Sequence, residues 1–152
     1  MVSFTVRAAK VVDATVLSAL IQRTIRMTNS YDYEPAFIES TCSNFTSAKV
    51  AQKFADQHVC AGVCDNVIVG TASFRRGKLL SLFVEPHFQH QGIGTQLVQH
   101  IERHAVSSGF SELWVSSSIT ARTFYAKFGY YLHKFEARKD GVTFLMSKSL
   151  VQ

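Results

Sequence analysis

The chain of 152 residues is 47% hydrophobic and carries 12 phenylalanines, enough to bury the core of one domain over residues 1–152. It has no uncharged apolar run of 18 residues, and its first residues lack the apolar core and cleavage site of a signal peptide, so we expect a cytoplasmic protein with no membrane partner. The net charge of +5 suits a polyanionic ligand, but the basic residues are scattered and match no nucleic-acid-binding motif, so no nucleic-acid partner is expected.

The N-terminal third is predicted to form a strand followed by helices. A strand over residues 3–8 precedes a helix from Asp13 to about Thr28. Apolar residues recur in that helix at helical spacing, namely Val16, Leu17, Leu20, Ile21 and Ile25. After a loop at 31–35, residues 36–56 are predicted to form one or two short helices with Val50 and Phe54 facing inward.

The hydrophobic pattern changes from helical to alternating at about residue 58. Two strands joined by the Asp65-Asn66 turn form a predicted hairpin. A third strand, a helix, a strand, a helix and two final strands follow. From the hairpin onward, the predicted ranges are 58–64, 67–75, 79–84, 93–107, 112–116, 119–128, 130–136 and 142–149, with a last turn at 139–141.

The predicted order of elements is therefore βααβββαβαββ. Consecutive hairpins followed by a βαβ unit predict an α/β protein with one mixed sheet and helices on both of its faces. Periodicity alone is compatible with more than one fold of this class.

The cysteines and one pair of histidines are the residues whose chemistry could serve a metal or redox site. Cys60 and Cys64 share a face of a predicted strand, and together with Cys42 they match no disulfide or zinc spacing. We expect all three to be buried apolar residues. His100 and His104 lie one turn apart on a predicted helix but off its apolar face, so they are predicted to be solvated, and no metal site is expected.

The stretch that follows Leu79 is the most informative part of the chain. An apolar strand runs through a short loop into a turn that contains Gly92 and Gly94, at the start of a helix. This order directs several backbone N–H groups toward one point at the positive end of the helix, an arrangement that binds phosphate. A dinucleotide fingerprint is excluded because Leu97 stands where a third glycine is needed, and no Walker sequence is present.

Two motifs in this region resemble those of the GNAT superfamily of acyl-CoA N-acyltransferases. The first, with Val84, Gln89, Gly92 and Gly94, is similar to the family's phosphate-binding pattern. The second spans 118–130 and is similar to Asn-x-x-Ala-x-x-Phe-Tyr-x-x-x-Gly-Phe/Tyr, except that Ser118 replaces the leading Asn. Together the motifs cover roughly residues 79–130.

The resemblance implies where acetyl-CoA would bind. The fourth and fifth strands would splay apart at a bulge and leave a V-shaped cleft. Backbone groups of the fourth strand would pair with the pantetheine arm, with an N–H near Val84 facing the thioester oxygen, and the glycine turn would wrap the pyrophosphate. The implied cofactor-binding residues are Leu82, Phe83, Val84, Gln89, His90, Gln91, Gly92, Ile93, Gly94, Thr95, Ser118 and Tyr125.

The resemblance also implies a catalytic role for Tyr125, as the donor of a proton to the departing CoA thiolate. A phenol near pKa 10 can protonate a thiolate whose conjugate acid is near 8.5 if the cleft favours it. Ser118, at the position of the family's Asn, could cap the following helix or bond to the pantetheine or a water. Both readings of Ser118 remain open from the sequence.

No residue is singled out as the base that deprotonates the amine. A lysine-like amine near pKa 10.4 is only about 0.04% neutral at pH 7, whereas an α-amino group near 7.7 is about 15–20% neutral. The acceptor therefore decides how much base is needed. The candidates are Glu85, His87, Asp32 and Glu34, and a water chain without a dedicated base is an equal alternative.

Tyr31 and Tyr33 lie in the loop after the first helix, which in this family borders the acceptor pocket, so they are candidate substrate-binding residues; a loop that packs on the domain is an equal alternative. The sequence thus predicts an enzyme, an N-acetyltransferase that moves an acetyl group from acetyl-CoA to a primary amine of a small molecule or peptide by direct attack in a ternary complex. The alternative is a catalytically silent CoA-binding regulatory module. The identity of the amine and the formation of a homodimer are left open.

Overall fold

Seven strands in one mixed sheet and five helices make up the part of the chain that the computed structural model describes, residues 3–138 and 141–151. The strands are β1 Thr5–Ala8, β2 His58–Cys64, β3 Val67–Arg75, β4 Lys78–Val84, β5 Glu112–Ser117, β6 Tyr131–Arg138 and β7 Gly141–Ser149. The helices are α1 Ala14–Thr28, α2 Pro35–Cys42, α3 Ser47–Lys53, α4 Ile93–Ser107 and α5 Arg122–Lys127. The predicted α/β class with a mixed sheet is confirmed.

The helical region between β1 and β2 contains three helices, one more than the predicted order has. Pro35 occupies the first turn of α2, where its missing N–H costs nothing. A 3₁₀ turn at Ser43–Phe45 then ends α2, and the Thr46 hydroxyl caps α3 by accepting from the N–H of Lys49 at 3.3 Å. Of the residues predicted to face the core from α1, Val16 is 51% exposed, because it points away from the sheet.

The sheet has the order β1-β2-β3-β4-β5-β7-β6, and only β4 and β5 are parallel neighbours. They pair at Lys78 with Trp114 and at Leu79 with Val115, and then separate. The register between β3 and β4 shifts beside the separation, and Ser81 adopts a left-handed φ of 56°. A bulge of this kind bends a strand away from its neighbour, so the splayed strands implied by the resemblance are present.

Helix α4 packs on one face of the sheet through Ile93, Leu97, Val98, Ile101 and Ala105, all buried. Helix α1 packs on the opposite face. The Asp65-Asn66 turn has positive φ at both residues, as a tight hairpin requires. The predicted turn at 139–141 falls largely outside the described residues.

The three cysteines are buried and free, as predicted. Burial raises the pKa of the Cys60 thiol to about 12, so this side chain is an unreactive core residue. No helix in residues 3–138 and 141–151 is long and apolar enough to cross a membrane.

The prediction that His100 and His104 are solvated is wrong. His58, the first residue of β2, packs on both of them, and all three are half-buried. The His58 ring stacks on His104 with centroids 3.9 Å apart, and its Nε2 lies 3.0 Å from Nε2 of His100. Periodicity within the helix could not reveal this, because the covering residue comes from a strand 42 positions earlier.

Candidate active site

The loop between β4 and α4 presents a row of backbone donors. After a 3₁₀ turn at Pro86–Phe88, His90 and Gly92 adopt left-handed φ values of 64° and 90°. Within the described residues, none of the backbone N–H groups of 90–95 donates to another protein group, and the first helical bond is from Gln96 to Gly92. Unpaired donors at the positive end of a 15-residue helix are an arrangement that favours an anion, so this turn is the candidate phosphate-binding site.

The fold explains one of the two glycines of this turn but not the other. Gly92 caps the helix in the left-handed region, which favours glycine. Gly94 is helical, and a Cβ there would meet Phe124 at 3.5 Å and Val84 at 3.7 Å, which are ordinary contact distances. The protein itself therefore has room for a methyl group at residue 94, so the fold does not explain the glycine there.

Gln89 uses its side chain to hold the loop in place. Its amide nitrogen donates to the carbonyl of Val84 at 3.0 Å and to the hydroxyl of Thr28 at 3.3 Å. The loop is thereby tied both to the end of β4 and to the end of α1. Thr28 was not identified from the sequence, because its partner is 61 residues away and no local pattern connects them.

The edge of β4 that faces β5 is open beyond Leu79. The N–H of Glu85 donates to Val69 at 2.8 Å, on the β3 side. Because residues of an antiparallel ladder alternate in direction, the N–H and C=O of Val84 point to the other side, into the cleft. Gln89 occupies that carbonyl, and the N–H of Val84 remains as a donor on the cleft wall.

The side chains of the three predicted strand residues go to different cores. Leu82 and Val84 pack against the cluster on the α4 side, whereas Phe83 joins the cluster on the α1 side, where its ring meets the edge of Phe45 at 5.7 Å. All three side chains are partly buried in these clusters, so the groups that this strand offers to a ligand as hydrogen-bond partners are its main-chain groups.

Tyr125 lies on α5 and is 3% exposed, with its ring against the edges of Phe124 and Tyr130. Its hydroxyl has no hydrogen-bond partner among the described residues, so its proton is not committed to another group of the protein. Burial raises its pKa above the ordinary value of 10, so the phenol stays protonated and can act as a donor.

Ser118 caps the turn that leads into α5. Its hydroxyl oxygen accepts from the N–H of Ala121 at 3.0 Å. An Asn at this position could make the same bond, since both are favoured capping residues. Of the two readings left open by the sequence, the geometry favours the cap.

The family model of the acetyltransferase (GNAT) domain matches residues 27–150, most of the chain. The chain belongs to the GNAT acetyltransferase family. Over 75% of this chain and 72% of its relative, it is 28% identical to the uncharacterized N-acetyltransferase YafP of Escherichia coli K12.

Two solved structures have a similar fold. The GCN5-related N-acetyltransferase (aminotransferase, class-II) of Rhodopseudomonas palustris superposes with a TM-score of 0.91 at 26% identity, over 98% of both chains. The PaiA N-acetyltransferase of Thermoplasma acidophilum, solved in complex with coenzyme A, superposes with a TM-score of 0.81 at 20% identity, over 97% of this chain and 99% of that one.

Glu85, a candidate base in this GNAT chain, is held by Arg23. Both oxygens of its carboxylate accept from the guanidinium, with Nε at 3.1 Å from each. Hydrogen bonding to Glu85 in turn raises the pKa of Arg23. A carboxylate with both oxygens engaged by a cation is poorly placed to accept a proton from a substrate. The remaining candidates also lie at the surface: Asp32 accepts from the Thr120 hydroxyl at 2.5 Å, and Glu34 and His87 are exposed.

Tyr31 and Tyr33, the two tyrosines predicted to contact the acceptor, differ in their exposure to solvent. Tyr31 is 90% exposed, on a 3₁₀ turn after α1. Tyr33 is 8% exposed, and its hydroxyl accepts from the N–H of Ile119 at 2.6 Å and donates to the carbonyl of Val142 at 2.9 Å. Its hydroxyl is therefore already engaged within the protein.

Proposed function

We propose that this GNAT protein is an N-acetyltransferase that moves an acetyl group from acetyl-CoA to a primary amine of a small molecule or peptide. The single observation that carries the proposal is the row of unpaired N–H groups at 90–95, next to the open edge of β4. We further propose that residues 1–152 act as one catalytic domain. The reaction is direct attack in a ternary complex, without a covalent acyl-enzyme.

The start of α4 suits the pyrophosphate of the coenzyme. Backbone donors and the helix dipole favour a multiply charged anion without a basic side chain. Gly94 supports this reading, because its missing Cβ is not required by any protein neighbour. A phosphate oxygen approaching the main chain at this point would explain why the residue is glycine.

The open edge of β4 suits the amide-containing pantetheine arm, which can bond to a strand as a neighbouring strand would. We assign the N–H of Val84 to the thioester oxygen. As the amine attacks, negative charge develops on that oxygen, and a fixed donor stabilises it. Loss of one such donor typically lowers kcat by about 10²–10³-fold.

We assign Tyr125 as the group that hydrogen-bonds to the sulfur and protonates the departing thiolate. Its raised pKa makes complete transfer in the free cleft unfavourable, because the thiol of CoA is the stronger acid in water. Burial that raises the pKa of Tyr125 would also raise that of a thiol beside it. The phenol therefore acts first as a hydrogen-bond donor to developing negative charge and delivers its proton as the sulfur leaves.

We propose that no side chain of the cleft serves as a dedicated base. The ion pair between Glu85 and Arg23 supports this, as does the bond between Asp32 and Thr120. An acceptor amine with a pKa near 7.7, such as an α-amino group, costs only about 1 kcal/mol to deprotonate at pH 7, against about 4.6 kcal/mol for a lysine-like amine. Weakly basic amines are thus the preferred acceptors, with water carrying the proton away.

A thiol-release assay with acetyl-CoA and a panel of polyamines, amino acids, aminoglycosides and peptide N-termini tests the proposal. We expect release that depends on both acetyl-CoA and an amine, and acetylated product by mass spectrometry. CoA binding by calorimetry without turnover on any amine would favour a regulatory CoA-binding module instead. Stronger thermal stabilisation by NAD or ATP than by CoA would overturn both.

A further inference from the structure

The width of the cleft is not set by the sheet itself. In the described sheet β4 and β5 share two residue pairs, the last at Leu79 and Val115, and beyond them the two strands are joined by no ladder. The distance between the walls must then depend on groups that cross the gap. The ring of Phe124 on α5 lies beside Gly94 on the first wall. One hydrogen-bonded segment also crosses the gap, Thr28–Tyr33, which we call the bridging segment.

The first end of the bridging segment is bonded to the β4 wall. The hydroxyl of Thr28 accepts from Gln89, which also donates to the carbonyl of Val84. One turn earlier on α1, Arg23 holds Glu85, the residue directly after β4. This end therefore moves with β4 and with the phosphate-binding turn.

The second end is bonded to the opposite wall. Asp32 accepts from Thr120, and the Tyr33 hydroxyl joins Ile119, in the turn between β5 and α5, to Val142 on β7. The same turn continues through the bond from Ala121 to Ser118 into α5. A displacement at Ile119 is thus passed directly to the helix that carries Tyr125.

The side chain of Tyr33 is held in one orientation by its ring and by its hydroxyl. Its ring stacks on Phe37 with centroids 4.5 Å apart and planes at 17°, so the orientation of the phenol is restricted. Its hydroxyl donates one hydrogen bond and accepts another, so its proton and one of its lone pairs are both engaged within the protein. Burial raises the pKa of Tyr33 above the ordinary 10, so the phenol is protonated and can donate this bond at neutral pH.

We propose that Tyr33 is a positioning residue that holds the wall of Tyr125 at a fixed distance from β4. The idea rests on the proposed acetyl transfer, in which a thioester on the β4 side must meet a phenol on the α5 side. Misplacement by about 1 Å can cost about 10²-fold in rate. Tyr33 therefore acts through Ile119 and α5 and touches neither acetyl-CoA nor the amine.

The test compares Tyr33→Phe with Tyr131→Phe. The first removes both hydrogen bonds but keeps the ring on Phe37. The second is a matched control because Tyr131 is 58% exposed on β6 and belongs neither to the bridging segment nor to the proposed site. Thr120→Val, which removes the bond to Asp32, weakens the same end by a second route. Each variant is measured for acetyl-CoA turnover, CoA affinity and hydrogen exchange with and without CoA.

For Tyr33→Phe we expect kcat to fall about 10–100-fold while the KM for the amine changes less than about threefold. The kcat of Thr120→Val should fall by less, and the kcat of Tyr131→Phe should equal that of the unmodified chain. In hydrogen exchange, CoA should protect residues 82–95 in every variant. CoA should also protect residues 117–128 in the unmodified chain, and this protection should be absent in Tyr33→Phe.

Two results would overturn the inference. Equal kcat and equal protection of 117–128 in the unmodified chain and Tyr33→Phe would reduce Tyr33 to a structural residue. A raised KM for the amine with unchanged kcat would make it a substrate contact. If the chain binds CoA but acetylates no amine, the proposed function fails, and hydrogen exchange at 117–128 still decides the role of Tyr33.

Discussion

The two walls of the cleft are built in different ways. The β4–α4 wall comes from one continuous stretch, residues 79–107, and offers its ligand main-chain groups. The opposite wall combines α5 with the bridging segment and β7. The hydroxyl of Tyr33 joins them through hydrogen bonds to Ile119 and Val142, which follow it in the sequence by 86 and 109 positions. The first wall should tolerate many side-chain changes, whereas the second depends on a few side chains that the fold brings together.

The largest expected effect is at Tyr125, on the second wall. Tyr125→Phe keeps the buried ring and removes the hydroxyl, so kcat should fall about 10²-fold or more, as is typical for the loss of a general acid. CoA affinity should change little, because the first wall is intact. Steady-state kinetics and calorimetry measure the two quantities, and a kcat equal to that of the unmodified chain would remove Tyr125 from the mechanism.

The next effect is at Gly94, on the first wall. Gly94→Ala has room within the protein but places a methyl group where the phosphate approaches. Losing one hydrogen bond to a charged group costs about 1.5–3 kcal/mol, which raises the Kd for CoA about tenfold or more.

The matched control for Gly94 is Gln91→Ala, because Gln91 is exposed in the same loop and would contribute only its main chain. The control should bind CoA as the unmodified chain does. Equal affinities for all three proteins by calorimetry would mean that the phosphate does not bind at this turn.

A smaller effect is expected at Glu85, which follows β4 on the first wall and pairs with Arg23 on α1. Glu85→Gln removes one charge of the pair with Arg23, so the free energy of unfolding should fall by about 1 kcal/mol or less. The proposed mechanism has no base at this position, so kcat should stay within about threefold across the pH range. A hundredfold loss with the disappearance of one limb of the pH–rate profile would instead identify Glu85 as the base.

The smallest expected effect on activity is at the histidine stack, which lies far from both walls and should affect stability alone. Burial, followed by the nearby His104 and His100, lowers the pKa of His58 from the ordinary 6.5 to about 4. The unfolded chain therefore binds a proton between these values that the folded chain does not. Stability is complete above about pH 6.5 and declines as the pH falls toward 4.

Urea unfolding between pH 4.5 and 7.5 measures this dependence of stability on pH. His58→Gln should make the curve flatter over that interval. A curve of unchanged slope in the variant would show that the stack does not control acid sensitivity. Acetyl-CoA affinity should be the same in both proteins at pH 7.5, because the stack lies outside the cleft.

Much of the cleft was predictable because its signals are local. The bounds of β2, β3 and α4 follow from hydrophobic period, and the Asp65-Asn66 turn from residues that accept positive φ. Gly92 and Gly94 mark the turn that we propose to bind phosphate, and the main chain of a single segment forms this turn. Backbone geometry of this kind is encoded by neighbouring residues, and one sequence suffices to find it.

Tertiary structure alone decided the rest, because side-chain partners distant in sequence leave no periodic trace. Whether Tyr33 faces a substrate or Ile119, and whether Glu85 is a base or the partner of Arg23, depends on which segments the folded sheet brings together. The same holds for His100 and His104, which a strand covers, and for Val16, which points away from the core. Local sequence therefore determined the wall that we propose to bind phosphate, and long-range packing determined the wall that carries Tyr125.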